Sequence, residues 1–422
     1  MKFKLPYNRT YKTIEVEDKR IKGVLVSKTE KYTPSFSQTD LVKNSLLNPI
    51  GSKPLSILAK DKKRVVIISS DHTRPVPSAI TMPLLLEEIR KYNDNVEIII
   101  LVATGMHRAS TKDELIDKYG MKIVVNEKII VHNAYDDSNM AFFGTLPSGG
   151  ELWLNKLINE ADLLVSEGFI EPHFFAGYSG GRKSVLPGIA SKKTVLWNHN
   201  SRFIGSKYAK SGCLENNPIH EDMLYAVEKA NLVFILNVVI NDDKHIIESF
   251  AGDPLLAHAK GVEFVSDLAS VKKVSSDIVI TTNGGYPLDQ NIYQTVKGMT
   301  SAEICVNNGG VIIMISSCID GTGGDYFYKL LADEKNAIMA YKNLSDVPLE
   351  NTEFDQWEAQ ILARILCKAK VILVSEVERK IVENMHIIYA SDIKQALLLA
   401  DELTNKGSIC IIPNGIGVII GE

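Results

Sequence analysis

The sequence predicts an α/β protein of two domains, each built on a mostly parallel sheet flanked by helices. Three observations support this. Short β-branched runs alternate with helical patterns along most of the chain. The alternation starts afresh near residue 275, with enough apolar sequence for a second core. A chain of 422 residues is also longer than one core commonly serves.

The unbroken apolar run RVVIISS (64–70) is a buried strand, and 78–92 has the spacing of an amphipathic helix. VEIIILVAT (96–104) is a second strand, and TKDELIDKYG is a short helix stopped by its glycine. DLLVSEGFI (162–170) and LVFILNVVIN (232–241) are further strands with helical stretches around them. In the second series, strands at 277–285, 309–317 and 370–376 alternate with helices that include 291–306 and 392–406. The final run, SICIIPNGIGVII, is one more strand, and it suits either domain. There is no internal repeat and no low-complexity linker.

Formal charge is −4, without a long basic run or interleaved basic and aromatic residues, which argues against a nucleic-acid groove and against membrane attachment. The N-terminal stretch lacks the apolar core of a signal peptide. No segment reaches the roughly 18 apolar residues of a membrane span. Cys213, Cys305, Cys318, Cys367 and Cys410 are odd in number and scattered, so reduced thiols are expected. These features together predict a cytoplasmic protein.

Three unusual loops follow predicted strands. They are Asp71-His72-Thr73-Arg74-Pro75-Val76-Pro77-Ser78, Ala103-Thr104-Gly105-Met106-His107-Arg108, and the long segment from Glu171 to Ser184. Ligands of open parallel sheets sit beyond the carboxyl ends of the strands, so these loops converge on one site if their strands are neighbours. His107 and His173 then stand out, because both lie in glycine-bearing loops and imidazole suits proton transfer near neutral pH. A single loop histidine is usually just solvated or hydrogen-bonded, and His132, His220, His245, His258 and His386 are read that way. His72 is ambiguous. Arg74, ahead of a proline, has extended backbone and a planar guanidinium suited to a carboxylate or phosphate.

The run Gly177-Tyr178-Ser179-Gly180-Gly181-Arg182-Lys183-Ser184 resembles a phosphate-binding P-loop but has Arg182 where that motif requires glycine. Its glycines allow close backbone approach to a ligand, and amide donors with two cations suit a phosphate. Lys183 is either an anion contact or a nucleophile. His199, in Trp197-Asn198-His199-Asn200, has no H-E-x-x-H motif or paired cysteines beside it, so a protein-only zinc site lacks support. A lone imidazole can complete the sphere of a metal already held by an organic ligand.

Taken together, DHTRPVPS (71–78), ATGMHR (103–108), EPHFFAGYSGGRKSVLPGI (171–189), WNHN (197–200) and YQTVK (293–297) resemble the nickel-pincer nucleotide-dependent lactate racemases. That family comprises 2-hydroxy-acid racemases and epimerases, and the resemblance runs across almost the whole chain. It implies a pyridinium mononucleotide bearing thioamide and thiocarboxylate groups that hold nickel, attached covalently at Lys183, with His199 as the protein ligand to the metal. It implies His107 and His173 as the acid/base pair, and Asp71, Gly180 and Gly181 around the cofactor. Arg74, Gln294 and Lys297 orient a small 2-hydroxy-acid substrate, with Tyr293 and Trp357 shaping the pocket. Cofactor-synthesis proteins are the implied loading partners. The implied domains are 1–272 plus 407–422, and a smaller C-terminal unit, 273–406, inserted before the returning segment. The alternatives are a relative acting on another 2-hydroxy acid or a sugar acid, a zinc hydrolase using His72, His107, His173 and His199, and a non-catalytic nucleotide-binding regulator.

Overall fold

A computed structural model describes residues 1–421. Two six-stranded sheets form its frame. The first runs, in spatial order, Ile246–Gly252, Leu232–Ile240, Leu163–Phe169, Arg64–Ser70, Glu97–Ala103 and Lys128–Val131. All neighbours are parallel except the Ile246–Gly252 edge. The central strands are apolar without interruption because both faces are covered. Val66 and Ile68 enter one core, while Val65 and Ile67 enter the core on the other face. The Ser78–Arg90 helix covers the second face with Met82, Leu85, Leu86 and Ile89, a stripe at helical spacing.

The second sheet runs Ile388–Ala390, Lys370–Val374, Val306–Ile315, Ser276–Thr282, Ile409–Ile412 and Ile21–Val24, parallel throughout. The expected division, 1–272 plus 407–422 against 273–406, needs correction at both ends. Ile409–Ile412 sits inside the second sheet, between Ser276–Thr282 and Ile21–Val24. The N-terminal hairpin, Lys2–Tyr7 with Thr10–Glu15, packs Leu5 and Ile14 against Ile278 and Ile280 of that same sheet. Only Ile419–Gly421 returns, pairing with Ser270–Lys272. All four side chains of Ile409–Ile412 are buried, which requires an interior position covered on both faces.

Leu163–Phe169, Arg64–Ser70 and Glu97–Ala103 are adjacent and parallel, so their carboxyl ends share one edge. The three loops singled out in the sequence leave from that edge. One apolar cluster passes between the sheets, joining Val66 and Leu101 to Ile312 and Leu362, and so holds the second domain over the loops. Among the described residues no helix is long and apolar enough to cross a membrane.

Candidate active site

A cavity of about 330 Å³ lies where the three loops meet the second domain. Asp71, Arg74, His107, His173, Gly180, Gly181, Lys183 and His199 line it from the first domain. Tyr293, Gln294, Lys297 and Trp357 line it from the second. His72 does not: its Nδ1 lies 2.9 Å from Ser110 Oγ, and its Nε2 lies 3.5 Å from the Glu114 carboxylate. No three His, Cys, Asp or Glu side chains among the described residues are grouped to hold a metal, which removes the support for a protein-only zinc centre.

His107 projects from a tight turn after Glu97–Ala103, in which Gly105 has a φ of +54° and the His107 amide donates to Thr104 O. Its Nδ1 is 2.7 Å from Asp71 Oδ2, and the other Asp71 oxygen accepts from the Thr73 amide and hydroxyl. Burial pushes the Asp71 carboxyl up, but the hydrogen bond and charge of His107, with Arg74 and Thr73, outweigh it and hold the group well below the usual carboxylate range. An ionised acceptor assigns the imidazole proton to Nδ1 and leaves Nε2 with a free lone pair.

His173 has the opposite arrangement. Its Nδ1 accepts from the Ala176 amide at 3.2 Å, so a neutral ring carries its proton on Nε2. That Nε2 is 3.1 Å from Lys183 Nζ. An N–H facing an ammonium makes no hydrogen bond, so this geometry requires Lys183 as the neutral amine. Electrostatics agree: burial first, then Arg182, Arg74 and Lys297, push the amine well below its ordinary value despite Glu171. Burial, then the neighbouring Lys183, Lys297 and Arg74, also push His173 well down. The geometry and the direction of the shift both favour the neutral amine, the form a nucleophile requires.

His199 follows the Lys192–Asn198 helix, whose cap Ser191 accepts from the Thr194 amide. Its ring meets Phe175 and Trp357 edge-on, with centroids 5.1 and 5.2 Å away. The side chain is buried, and Nδ1 has no hydrogen-bond partner among the described residues. Burial pushes the imidazole down to about 3, with Lys183 adding to the effect. A neutral, unsatisfied imidazole in an aromatic setting is chemically fit to donate to a soft metal.

The second domain contributes the first turns of two helices. Asn291 caps Ile292–Cys305, accepting from the Gln294 amide at 2.9 Å. Gln294 and Lys297 are then three residues apart on one face, and Lys297 Nζ donates to Gln294 Oε1 at 2.6 Å. Trp357, at the start of Gln356–Lys368, donates its indole N–H to the Tyr293 hydroxyl at 3.0 Å.

The glycine-rich loop departs from its expected use. Arg182 is buried and turned away from the cavity, donating to the carbonyls of Ala176 and Tyr178 and to His220 Nδ1. It braces the loop, and only Lys183 of the two cations faces a ligand. Gly180 and Gly181 do line the cavity, but a Cβ there would meet Asn237 and His258 respectively. The Gly181 amide is already donated to Asn237 Oδ1 at 2.7 Å.

Two cavity-lining carboxyls were not anticipated. Glu167 accepts from the hydroxyls of Ser69, Ser78 and Thr81, tying the Arg64–Ser70 strand to the Ser78–Arg90 helix beneath the site. Glu358 is fully buried in the Gln356–Lys368 helix. Each interrupts an apolar run, SEG in one case and WEAQIL in the other, and that interruption was the available signal.

Comparison with known proteins identifies the family. Residues 7–212 match the family model of the lactate racemase N-terminal domain, and residues 271–420 match that of the C-terminal domain. The lactate racemase of Thermoanaerobacterium thermosaccharolyticum is 52% identical over 420 residues, 99% of each chain. That of Lactiplantibacillus plantarum is 50% identical over 418 residues, again 99% of each. The structure of the lactate racemase apoprotein from the former organism superposes with a TM-score of 0.97 at 51% identity, covering 100% of both chains. A Thermotoga maritima protein, 21% identical with a TM-score of 0.67, shares the fold over 92% of this chain and 100% of its own. The chain belongs to the lactate racemase family.

Proposed function

We propose that the protein is a racemase that interconverts D- and L-2-hydroxy acids, lactate foremost, by proton-coupled hydride transfer through a 2-oxo acid. The cofactor in this proposal is a nickel-pincer nucleotide attached at Lys183 with His199 on the metal. The observation that carries the reading is the pair His107 and His173, which meet one cavity with their protons fixed on different ring nitrogens.

The Cα–H of a 2-hydroxy acid is too weakly acidic to leave easily as a proton, whereas oxidation to the 2-oxo acid makes the centre planar and erases its handedness. When bound, the nickel-pincer nucleotide supplies the hydride acceptor. Everything else falls to the chain. Arg74 offers a bidentate fork to the substrate carboxylate, and Lys297, steadied by Gln294, adds a second cation. His107 Nε2 takes the hydroxyl proton of one enantiomer while Asp71 holds the ring and balances the charge gained. His173 is assigned the other enantiomer, whose hydroxyl points to the other side of the cavity. Because Nδ1 accepts from Ala176 and Nε2 carries the proton, the ring takes that hydroxyl proton only after leaving the Ala176 contact so that Nε2 is free. Trp357, Phe175 and Phe174 exclude water around the reacting carbon.

The neutral Lys183 amine and the unpartnered His199 nitrogen both support the cofactor assignment. The same proposal includes a cytoplasmic location and dedicated synthesis proteins that load the cofactor. Its test is a panel of enantiopure 2-hydroxy acids with loaded enzyme, scored by loss of optical rotation alongside metal analysis. Racemisation of lactate with nickel bound supports it; no racemisation across the panel, or zinc as the active metal, overturns it.

A further inference from the structure

A second cavity, of about 170 Å³, adjoins the first, and Arg74, His173, Lys183 and Lys297 belong to the walls of both. It reaches the protein surface at Glu30, Asp242 and Lys244, which are exposed. Glu171 lines this second cavity and not the first. Its backbone is occupied, the amide donating to Ser179 Oγ and the carbonyl accepting from the Ser179 amide. Its side chain is half-buried and makes no hydrogen bond or ion pair among the described residues. The cations acting on the carboxyl, Arg74, Lys297, Lys244 and Lys183, all line the second cavity, which places it there. Glu171 extends the strand Pro172–His173 by one residue, opposite Ser179, so it shares a face with His173. Two residues of strand separate them by about 7 Å, a gap that a short chain of water spans, and the cavity has room for it.

Racemisation by two bases leaves the two histidines unequal. In each turnover one ring takes the hydroxyl proton, and the other returns a proton to the oxygen of the re-formed alcohol. The first ends one proton richer and the second one poorer. Both must exchange with solvent before a second turnover in the same direction. His107 does so directly, since its side chain is 43% exposed. His173 is enclosed: its Nδ1 faces the Ala176 amide, its Nε2 faces Lys183, and Arg74 and Lys297 repel hydronium from it. Even without that repulsion, diffusion at pH 7 delivers hydronium to one site only about 10²–10³ times a second, within the range of enzyme turnover. A carboxyl carries a proton past such charges, because it is neutral when loaded and stabilised by them when empty. Burial pushes the Glu171 carboxyl up, with the four cations opposing, in the direction a relay near neutral pH requires. At the mouth, the hydrogen bond between Glu30 and Asp242, with burial, pushes Glu30 up to about 7, so a proton is held there as well.

We propose that Glu171 is the proton relay of His173, passing protons between that ring and solvent through water in the second cavity. When His173 has given up its proton, the Glu171 carboxylic acid releases one along the water to the ring and is left as the carboxylate. It then takes a proton from solvent at the mouth. When His173 has gained a proton, the same steps run in reverse. The proposal rests on the two-base racemase reading, and in it Glu171 touches neither substrate nor cofactor.

The test separates net conversion from exchange at equilibrium. In a racemic mixture forward and reverse turnovers balance, so each resets the rings for the other and no relay is needed. Loaded Glu171→Gln should convert enantiopure lactate about tenfold more slowly than wild type in dilute buffer near neutral pH, from either enantiomer. Its exchange of radiolabel between D- and L-lactate in a saturating racemic mixture should fall far less. Added phosphate, a diffusible proton carrier, should recover net rate in Glu171→Gln as its concentration rises and leave wild type unchanged. Glu171→Asp, which keeps the carboxyl, should retain most of the net rate. A Glu171→Gln enzyme with the wild-type net rate overturns the proposal. An equal loss of net conversion and label exchange, without recovery in phosphate, overturns it too, because that is the mark of a structural defect. Both results leave the racemase reading standing, since wild type still racemises. A loaded wild type that racemises nothing defeats that reading and this inference together.

Discussion

The Asp71 carboxylate accepts the Nδ1–H of His107 at 2.7 Å, and its second oxygen is held by the amide and hydroxyl of Thr73. The acceptor is buried and ionised, so it sets both the orientation and the tautomer of the imidazole. Asp71→Asn keeps the shape but can present an N–H to Nδ1, placing the ring proton on the wrong nitrogen. A fall in kcat of about 10²–10⁴-fold with a small change in KM is expected by analogy with other His–Asp pairs. Steady-state rates with both enantiomers check it. The same substitution should alter acid stability. The folded-state pKa of Asp71 is depressed, so its stabilising contribution is present above the unfolded carboxylate value of about 3.9 and is lost as pH falls through the lower folded value. Melting temperatures of unloaded protein should therefore fall less steeply in acid for Asp71→Asn than for wild type.

His107→Ala and His173→Ala should each abolish net racemisation, because a full turnover uses both rings in succession. Each variant retains the half-reaction of the enantiomer whose histidine remains, forming the oxo acid once. Single-turnover mixing with pure D- and L-lactate, followed by cofactor absorbance, should show opposite preferences in the two variants. The same preference in both removes the two-base scheme.

Lys183→Ala should eliminate the covalent cofactor adduct from the intact mass while leaving the fold unchanged. Among the described residues Lys183 makes no ion pair, and its Nζ lies 3.1 Å from His173 Nε2. An adduct of unchanged mass in the variant would place the attachment elsewhere.

His199→Ala should lose most of the bound nickel from cofactor-loaded protein, measured by elemental analysis after gel filtration. The Nδ1 it removes has no hydrogen-bond partner among the described residues. Full nickel retention would exclude His199 as a ligand.

The convergence of the three loops was legible in the sequence because unbroken apolar strands require both faces covered, which implies parallel neighbours and a shared carboxyl edge. His107 and His173 stood out from that convergence, whereas the roles of Lys183 and His199 were implied only by the family resemblance. Three things were decided only by the tertiary structure. Ile21–Val24 and Ile409–Ile412 joined the second sheet because periodicity encodes how deeply a strand is buried and not which strand it pairs with. Arg182 and Lys183, adjacent in sequence, point to opposite sides of one loop because its backbone is bent through Gly180 and Gly181 at positive φ and packed on Asn237 and His258. Glu358 is fully buried with both carboxyl oxygens unpartnered among the described residues, under the influence of Lys297 on another helix. Whether a buried carboxyl is a defect or a ligand contact depends on what the fold places opposite it, and that is a property of three dimensions.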